Sequence, residues 1–306
     1  MVCWRHKSSR RRHSDGDKIR TARRRGHYQA FDVTPNEKER IQVIVEKRRF
    51  PSPHPHIHLY TVTYEADGLR MKGLLAEPAG EGLYDGFLYL RGGIKNVGMV
   101  RPGRIVQFAA QGFVVFAPFY RGNQGGEGNE DFAGEDRKDA FAAFQLLKHH
   151  QKVKQERIHI FGFSRGGIMG IWTAVEMKHE AASFVTWGGV SDMKLTYEER
   201  VDMRRMMKRV IGGPPHKVPE AYEARTPLND VHQIEAPVLI IHGELDENVS
   251  IEHAYLLEDA LRQHGKSVET WYFHGYHHYF PPQHNREIVR RLTTWMHSRK
   301  GGNVVK

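Results

Sequence analysis

One serine, Ser164, stands in Gly162-Phe163-Ser164-Arg165-Gly166-Gly167, with a glycine two places to either side. Upstream, Ile158–Phe161 has the length and apolar content of a buried strand, and downstream Arg165–Met177 can form a helix. A serine at a sharp strand-to-helix reversal, with bulk removed around it, is a nucleophile elbow. The turn forces the serine into a strained backbone conformation and needs close neighbours without side chains. Its hydroxyl then stands above the sheet edge, where a carbonyl carbon can reach it. The following helix turns free N–H groups and the positive end of its dipole toward the oxyanion that forms. The chemistry is acyl transfer through a covalent intermediate.

A serine hydroxyl is a poor nucleophile without a base, and the base needs an acid to orient it. In a chain of this pattern the acid and then a histidine follow the serine. The acid candidate is Asp246, in the loop just beyond the buried strand Pro237–His242, where strand carboxyl ends place their sites. Glu244, closer to the strand end, and Asp192, after an earlier strand, are its rivals. The base candidates are His274, His277, His278 and His284, between the strand Val268–Phe273 and the last helix. Four histidines so close also raise a metal site. Gly275 and Pro281-Pro282 make the segment a loop without the helical ligand spacing zinc favours, so no metal is expected.

These residues need a scaffold that holds three distant loops together. His58–Tyr64 and Leu69–Ala76 read as strands joined at Asp67-Gly68, a hairpin signal. Strands at Gly86–Leu90, Phe113–Ala117, Ile158–Phe161, Ser183–Trp187, Pro237–His242 and Val268–Phe273 then alternate with helices at Ile105–Gln111, Glu135–His149, Arg165–Met177, Ile251–His264 and Asn285–His297. Near-continuous apolar strands alternating with helices predict an α/β fold, a mostly parallel sheet covered on both faces, entered through an antiparallel hairpin. Residues 191–233 break the alternation with charge and a methionine group, Met193, Met203, Met206 and Met207. They read as a helical excursion above the sheet whose methionines either line an acyl or peptide pocket or form the inner face of a helix.

The 306 residues carry a formal net charge of +10, but residues 1–25 hold ten Lys/Arg against Asp15 and Asp17, so most of it belongs to a leading tail. Residues 1–44 read as a basic, disordered extension without hydrophobic periodicity, and residues 45–300 as the catalytic domain. Tail charge alone does not make a nucleic-acid surface, and no apolar run is long enough to cross a membrane. Cys3 is the only cysteine, so no internal disulfide forms and a cytoplasmic setting is expected. Gly122–Gly128 does not open a helix directly after a strand, so no nucleotide cofactor, and no cofactor of any kind, is expected. A homo-oligomer is compatible with the sequence.

At three segments the chain resembles the prolyl oligopeptidase family of α/β-hydrolases: Phe161–Gly167, Thr226-Pro227-Leu228 with Ala236–Gly243, Asp246 and Val249, and Gly275–Phe280. Tyr120-Arg121-Gly122 with Gly125, Gly126 and Gly128 also looks like that family's loop before a long helix, and the likeness spans roughly residues 45–300. The family's Gly-x-x-His-x-Phe pattern, laid over Gly275–Phe280, selects His278 over His277. The resemblance implies a triad of Ser164, Asp246 and His278, with the backbone N–H groups of Arg165 and Gly93 as oxyanion donors. Many relatives have His-Gly-Gly-Pro where this chain has Arg91-Gly92-Gly93-Ile94. The family's large peptidases carry a propeller ahead of the hydrolase, and none is expected in residues 1–45. The expected activity is hydrolysis of a small peptide or acyl-peptide, with a carboxylesterase as the alternative. A non-catalytic hydrolase scaffold with a nucleic-acid-contacting tail is the alternative of another class.

Overall fold

In the computed structural model, residues 44–300 are described; the basic leading stretch and Cys3 lie outside the described residues. Asp67 and Gly68 both take positive φ (52° and 74°), the backbone a two-residue hairpin turn demands. They join strand β2 (Ile57–Ala66) to β3 (Leu69–Pro78), paired from Ala66↔Leu69 to Ile57↔Pro78. Leu59, Val62 and Tyr64 of β2 are fully buried while residues between them keep some exposure, the alternation of a sheet with one face on the core. Ahead of them β1 (Ile44–Phe50), largely exposed and carrying Lys47, Arg48 and Arg49, pairs with β2 as the sheet's outer edge.

The remaining strands are apolar runs buried on both faces: β4 (Tyr84–Leu90), β5 (Phe113–Pro118), the second half of β6 (Val153–Phe163), β7 (Ala181–Trp187) and β8 (Val238–Gly243). With the half-exposed edge strand β9 (Val268–Phe273) they complete a nine-stranded sheet in the order β1-β2-β3-β5-β4-β6-β7-β8-β9. Pairing is antiparallel from β1 through β3 to β5 and parallel from β5 onward. This is the α/β-hydrolase architecture. β6 starts five residues before the apolar segment Ile158–Phe161, running through half-buried Lys154 and exposed Gln155 and Glu156, which carry no apolar signal.

Helices α1 (Pro102–Ala109) and α8 (Pro282–His297) pack one face through Ile105, Phe108, Ile288, Leu292 and Trp295. Helices α2 (Arg137–Lys148), α3 (Gly166–Glu176) and α7 (Ile251–Gln263) cover the other through Phe144, Leu147, Ile168, Ile171 and Leu257. Residues 191–233 form short helices, α4 (Met193–Glu199), α5 (Arg204–Ile211) and α6 (Pro219–Glu223), with 3-10 turns between and after them. The chain leaves β4 toward β5 on one side and returns to β6 on the other. That reversal opens a crevice at the strand carboxyl ends.

Candidate active site

Ser164 follows the last residue of β6 at φ +57°, a left-handed conformation that a non-glycine residue adopts only when its surroundings impose it. Its amide donates to Trp187 O (3.2 Å), and its carbonyl accepts from the amides of Gly167 (2.8 Å) and Val190 (3.0 Å). A Cβ on Gly162 would run into Gly166 O, and one on Gly166 into Leu90 O. The glycines let three backbone segments close around one serine.

Asp246 lies beyond β8 and His278 beyond β9. Both are buried, and His278 Nδ1 stands 2.7 Å from Asp246 Oδ2. The other carboxylate oxygen accepts the amides of Asn248 (2.9 Å) and Val249 (3.0 Å), which fixes its direction. His242, 3.5 Å from Asp246 Oδ2, is turned to Val249 O at 2.8 Å, and burial lowers its pKa. Burial also takes His253 down to about 3. Both rings are therefore neutral near pH 7, which leaves the Asp246 charge to the His278 imidazole.

The other histidines of the segment are occupied elsewhere. His274 pairs with Glu244 (2.9 Å) and His277 with Glu247 (2.8 Å), all four side chains at the surface, while His284 lies edge-on to Tyr276. Asp192 caps α4 by accepting the Leu195 amide. Among the described residues no group of three His, Cys, Asp or Glu side chains is placed to hold a metal ion.

Ser164 and His278 line one cavity of about 1080 Å³ at the carboxyl ends of the parallel strands. Gly92, Gly93 and Arg165 border it from the ends of β4 and β6. A Cβ on Gly92 would stand 2.6 Å from Ser164 Cβ, so the Arg91–Gly93 loop touches the elbow directly. Of the four methionines, Met203 and Met206 line the cavity, whereas Met193 and Met207 are fully buried in the core.

A profile of the prolyl oligopeptidase family matches residues 100–302, two thirds of the chain. The chain belongs to the prolyl oligopeptidase family. It is 73% identical over 257 residues to the uncharacterized peptidase YtmA of Bacillus subtilis, covering 84% of this chain and all of that one. Dipeptidyl-peptidase 5 of Porphyromonas gingivalis is 27% identical over 234 residues, 70% of this chain but 33% of that protein. Among solved structures, the acylaminoacyl peptidase of Pyrococcus horikoshii superposes with a TM-score of 0.70 at 20% identity, over 88% of this chain and 44% of its own. Acetyl xylan esterase from Paenibacillus sp. R4 superposes at 0.66 and 17% identity, over 84% and 89%. These two likenesses are of fold. As a prolyl oligopeptidase-family member the chain is a serine hydrolase.

Arg91, in the place where many family members have histidine, is fully buried. It donates to Glu130 Oε1 (2.8 Å) and to the carbonyls of Gly92 (2.9 Å), Val97 (3.2 Å) and Phe119 (3.1 Å). Arg165 donates to the same Glu130 oxygen at 2.8 Å, and the second carboxylate oxygen takes the Lys95 amide. One buried carboxylate thus ties the glycine loop to the elbow, with Tyr120 beneath both guanidinium groups. Sequence reasoning missed Glu130. The available signal was the two arginines in apolar settings beside Gly92 and Gly166, since a buried guanidinium requires a carboxylate.

No helix among the described residues is long and apolar enough to cross a membrane.

Proposed function

We propose that this chain hydrolyses small peptides or acyl-peptides through an acyl-enzyme on Ser164. The observation that carries the reading is the strained Ser164 opening onto the same cavity as a histidine whose Nδ1 is held at 2.7 Å by a buried carboxylate. With Nδ1–H donated to Asp246, the lone pair of His278 is on Nε2. That nitrogen takes the Ser164 proton as Oγ attacks the substrate carbonyl, and Asp246 stabilises the imidazolium. The oxyanion forms against the amides of Arg165 and Gly93. Among the described residues neither amide donates to another group, so both remain available. His278 returns its proton to the departing amine, and water repeats the sequence on the acyl-serine.

The test compares a chromogenic ester and a peptide anilide with the same acyl part, using wild type and Ser164→Ala. Ser164-dependent turnover of both supports the peptidase reading. Turnover of the ester alone makes the chain a carboxylesterase, because the amide must be protonated to leave whereas an alkoxide leaves more readily. Turnover untouched by Ser164→Ala overturns the triad.

A further inference from the structure

The charges around the cavity are unequal. Among the described residues its basic lining groups are Arg101, Arg104, Arg165 and Arg200, and its one acidic group is Asp202. Arg165 is bound to Glu130 (2.8 Å), and Arg200 holds Asp202 through two bonds of 3.0 and 2.8 Å. Arg101 and Arg104 have no carboxylate partner among the described residues. Arg101 is exposed at the start of α1. Arg104, one turn on, is half-buried, lies over the Trp187 ring (5.7 Å to its centroid) and gives one N–H to Asn285 Oδ1 (2.8 Å).

Arg104 is thereby positioned, since the aromatic face beneath it and the amide beside it restrict its planar fork. Guanidinium groups recognise carboxylates in this manner, by paired, charge-assisted hydrogen bonds. Trp187 also ties the cation to the reacting groups. Its carbonyl receives the Ser164 amide, and a Cβ on the next residue, Gly188, would stand 3.1 Å from Asp246 Oδ2 and 3.2 Å from His278 Nδ1. The cation therefore belongs to the same crevice as the serine, and among the described lining residues the one carboxylate, Asp202, is taken by Arg200.

We infer that Arg104, assisted by Arg101, selects substrates carrying a carboxylate next to the scissile bond, either an acidic residue on the acyl side or a free C-terminal carboxylate on the leaving side. The inference rests on the hydrolase reading above and names its substrate class. A substrate bearing a free ammonium in that position meets two unpaired cations and is disfavoured.

The test uses two matched substrate pairs. Acetyl-Ala-Glu and acetyl-Ala-Gln anilides vary the acyl side, and acetyl-dialanine and its C-terminal amide vary the leaving side. In wild type the carboxylate member of at least one pair is favoured about tenfold in kcat/KM, as one charge-assisted contact allows. The ratio falls toward one in Arg104→Gln, falls partly in Arg101→Gln, and shrinks with added salt. Equal turnover within both pairs, a preference for the uncharged members, or a ratio that survives in both variants overturns the inference. Labelling by a fluorophosphonate, read in every protein and in Ser164→Ala, separates the two levels. No Ser164-dependent labelling removes the hydrolase reading and this inference with it. Labelling without a charge preference removes this inference alone.

Discussion

His277 and His278 are chain neighbours in opposite circumstances. His278 is buried against Asp246, while His277 is exposed and faces Glu247 at the surface. Replacing His278 by Ala is expected to lower kcat by about 10³-fold or more, the usual consequence of removing a triad base. His277→Ala is expected to stay within a few-fold of wild type. Steady-state rates on one ester substrate decide it, and the reverse ranking would mean that the base is His277. Ser164→Gly tests the strain directly. Relief of a positive-φ side chain is expected to raise stability by about 1 kcal/mol, net of glycine's entropy, and so the melting temperature by roughly 2–4 °C, while activity is lost. A lower melting temperature would show that the elbow is not strained. At this scale the serine was legible because two glycines flank it between a strand and a helix. His278 was not separable from His277 by spacing alone, since burial does not show in two adjacent identical residues. Only the family pattern chose between them.

Among elements, contact between the β4 loop and the β6 elbow decides whether the proposed oxyanion donors, the Gly93 and Arg165 amides, are in place. Gly92→Ala sets a methyl 2.6 Å from Ser164 Cβ. It is expected to lower kcat at least tenfold on any substrate, by shifting the Gly93 amide or the serine. Glu130→Gln leaves Arg91 without its carboxylate and weakens the hold on Arg165. A loss of about 3–5 kcal/mol is expected, read as a fall in urea midpoint, with fluorophosphonate labelling of Ser164 slowed in the molecules that still fold. An unchanged midpoint would mean the two arginines find other partners. The alternation of strands and helices was readable because each parallel strand is a buried apolar run. β1 was not, because Glu46, Lys47, Arg48 and Arg49 look like the tail before them and become a strand only by pairing with β2. The Arg91–Glu130–Arg165 bridge was hidden because its members are far apart in sequence and an acid among Asp131, Glu135 and Asp136 has no local mark of burial.

For the whole molecule, buried titratable groups set the response to acid. His253 is neutral when folded, with its pKa down at about 3, and takes a proton near 6.5 once unfolded. The unfolded chain binds the extra proton between those values, so stability falls as pH drops below about 6.5, by up to about 1.4 kcal/mol per pH unit. Glu77, although burial opposes its charge, is held down at about 2 by His150 and Lys47. Its stabilisation is complete above about 4.5 and is lost as pH falls toward 2. Urea midpoints at pH 6, 5 and 4 should decline, and His253→Gln should make the part above pH 5 shallower. A His253→Gln profile parallel to that of wild type from 7 to 5 would mean that His253 is protonated in the fold. The strand order has its own outcome in time. β5 inserts between β3 and β4, and Asp246 meets His278 across 32 residues of chain, so their hydrogen bond does not form by local closure. Parallel pairings at such separations are slow to form. On the proposed mechanism, the serine leaves the ribosome long before its base does, and the growing chain gains hydrolytic power over its neighbours only once β9 has been made and has docked on β8.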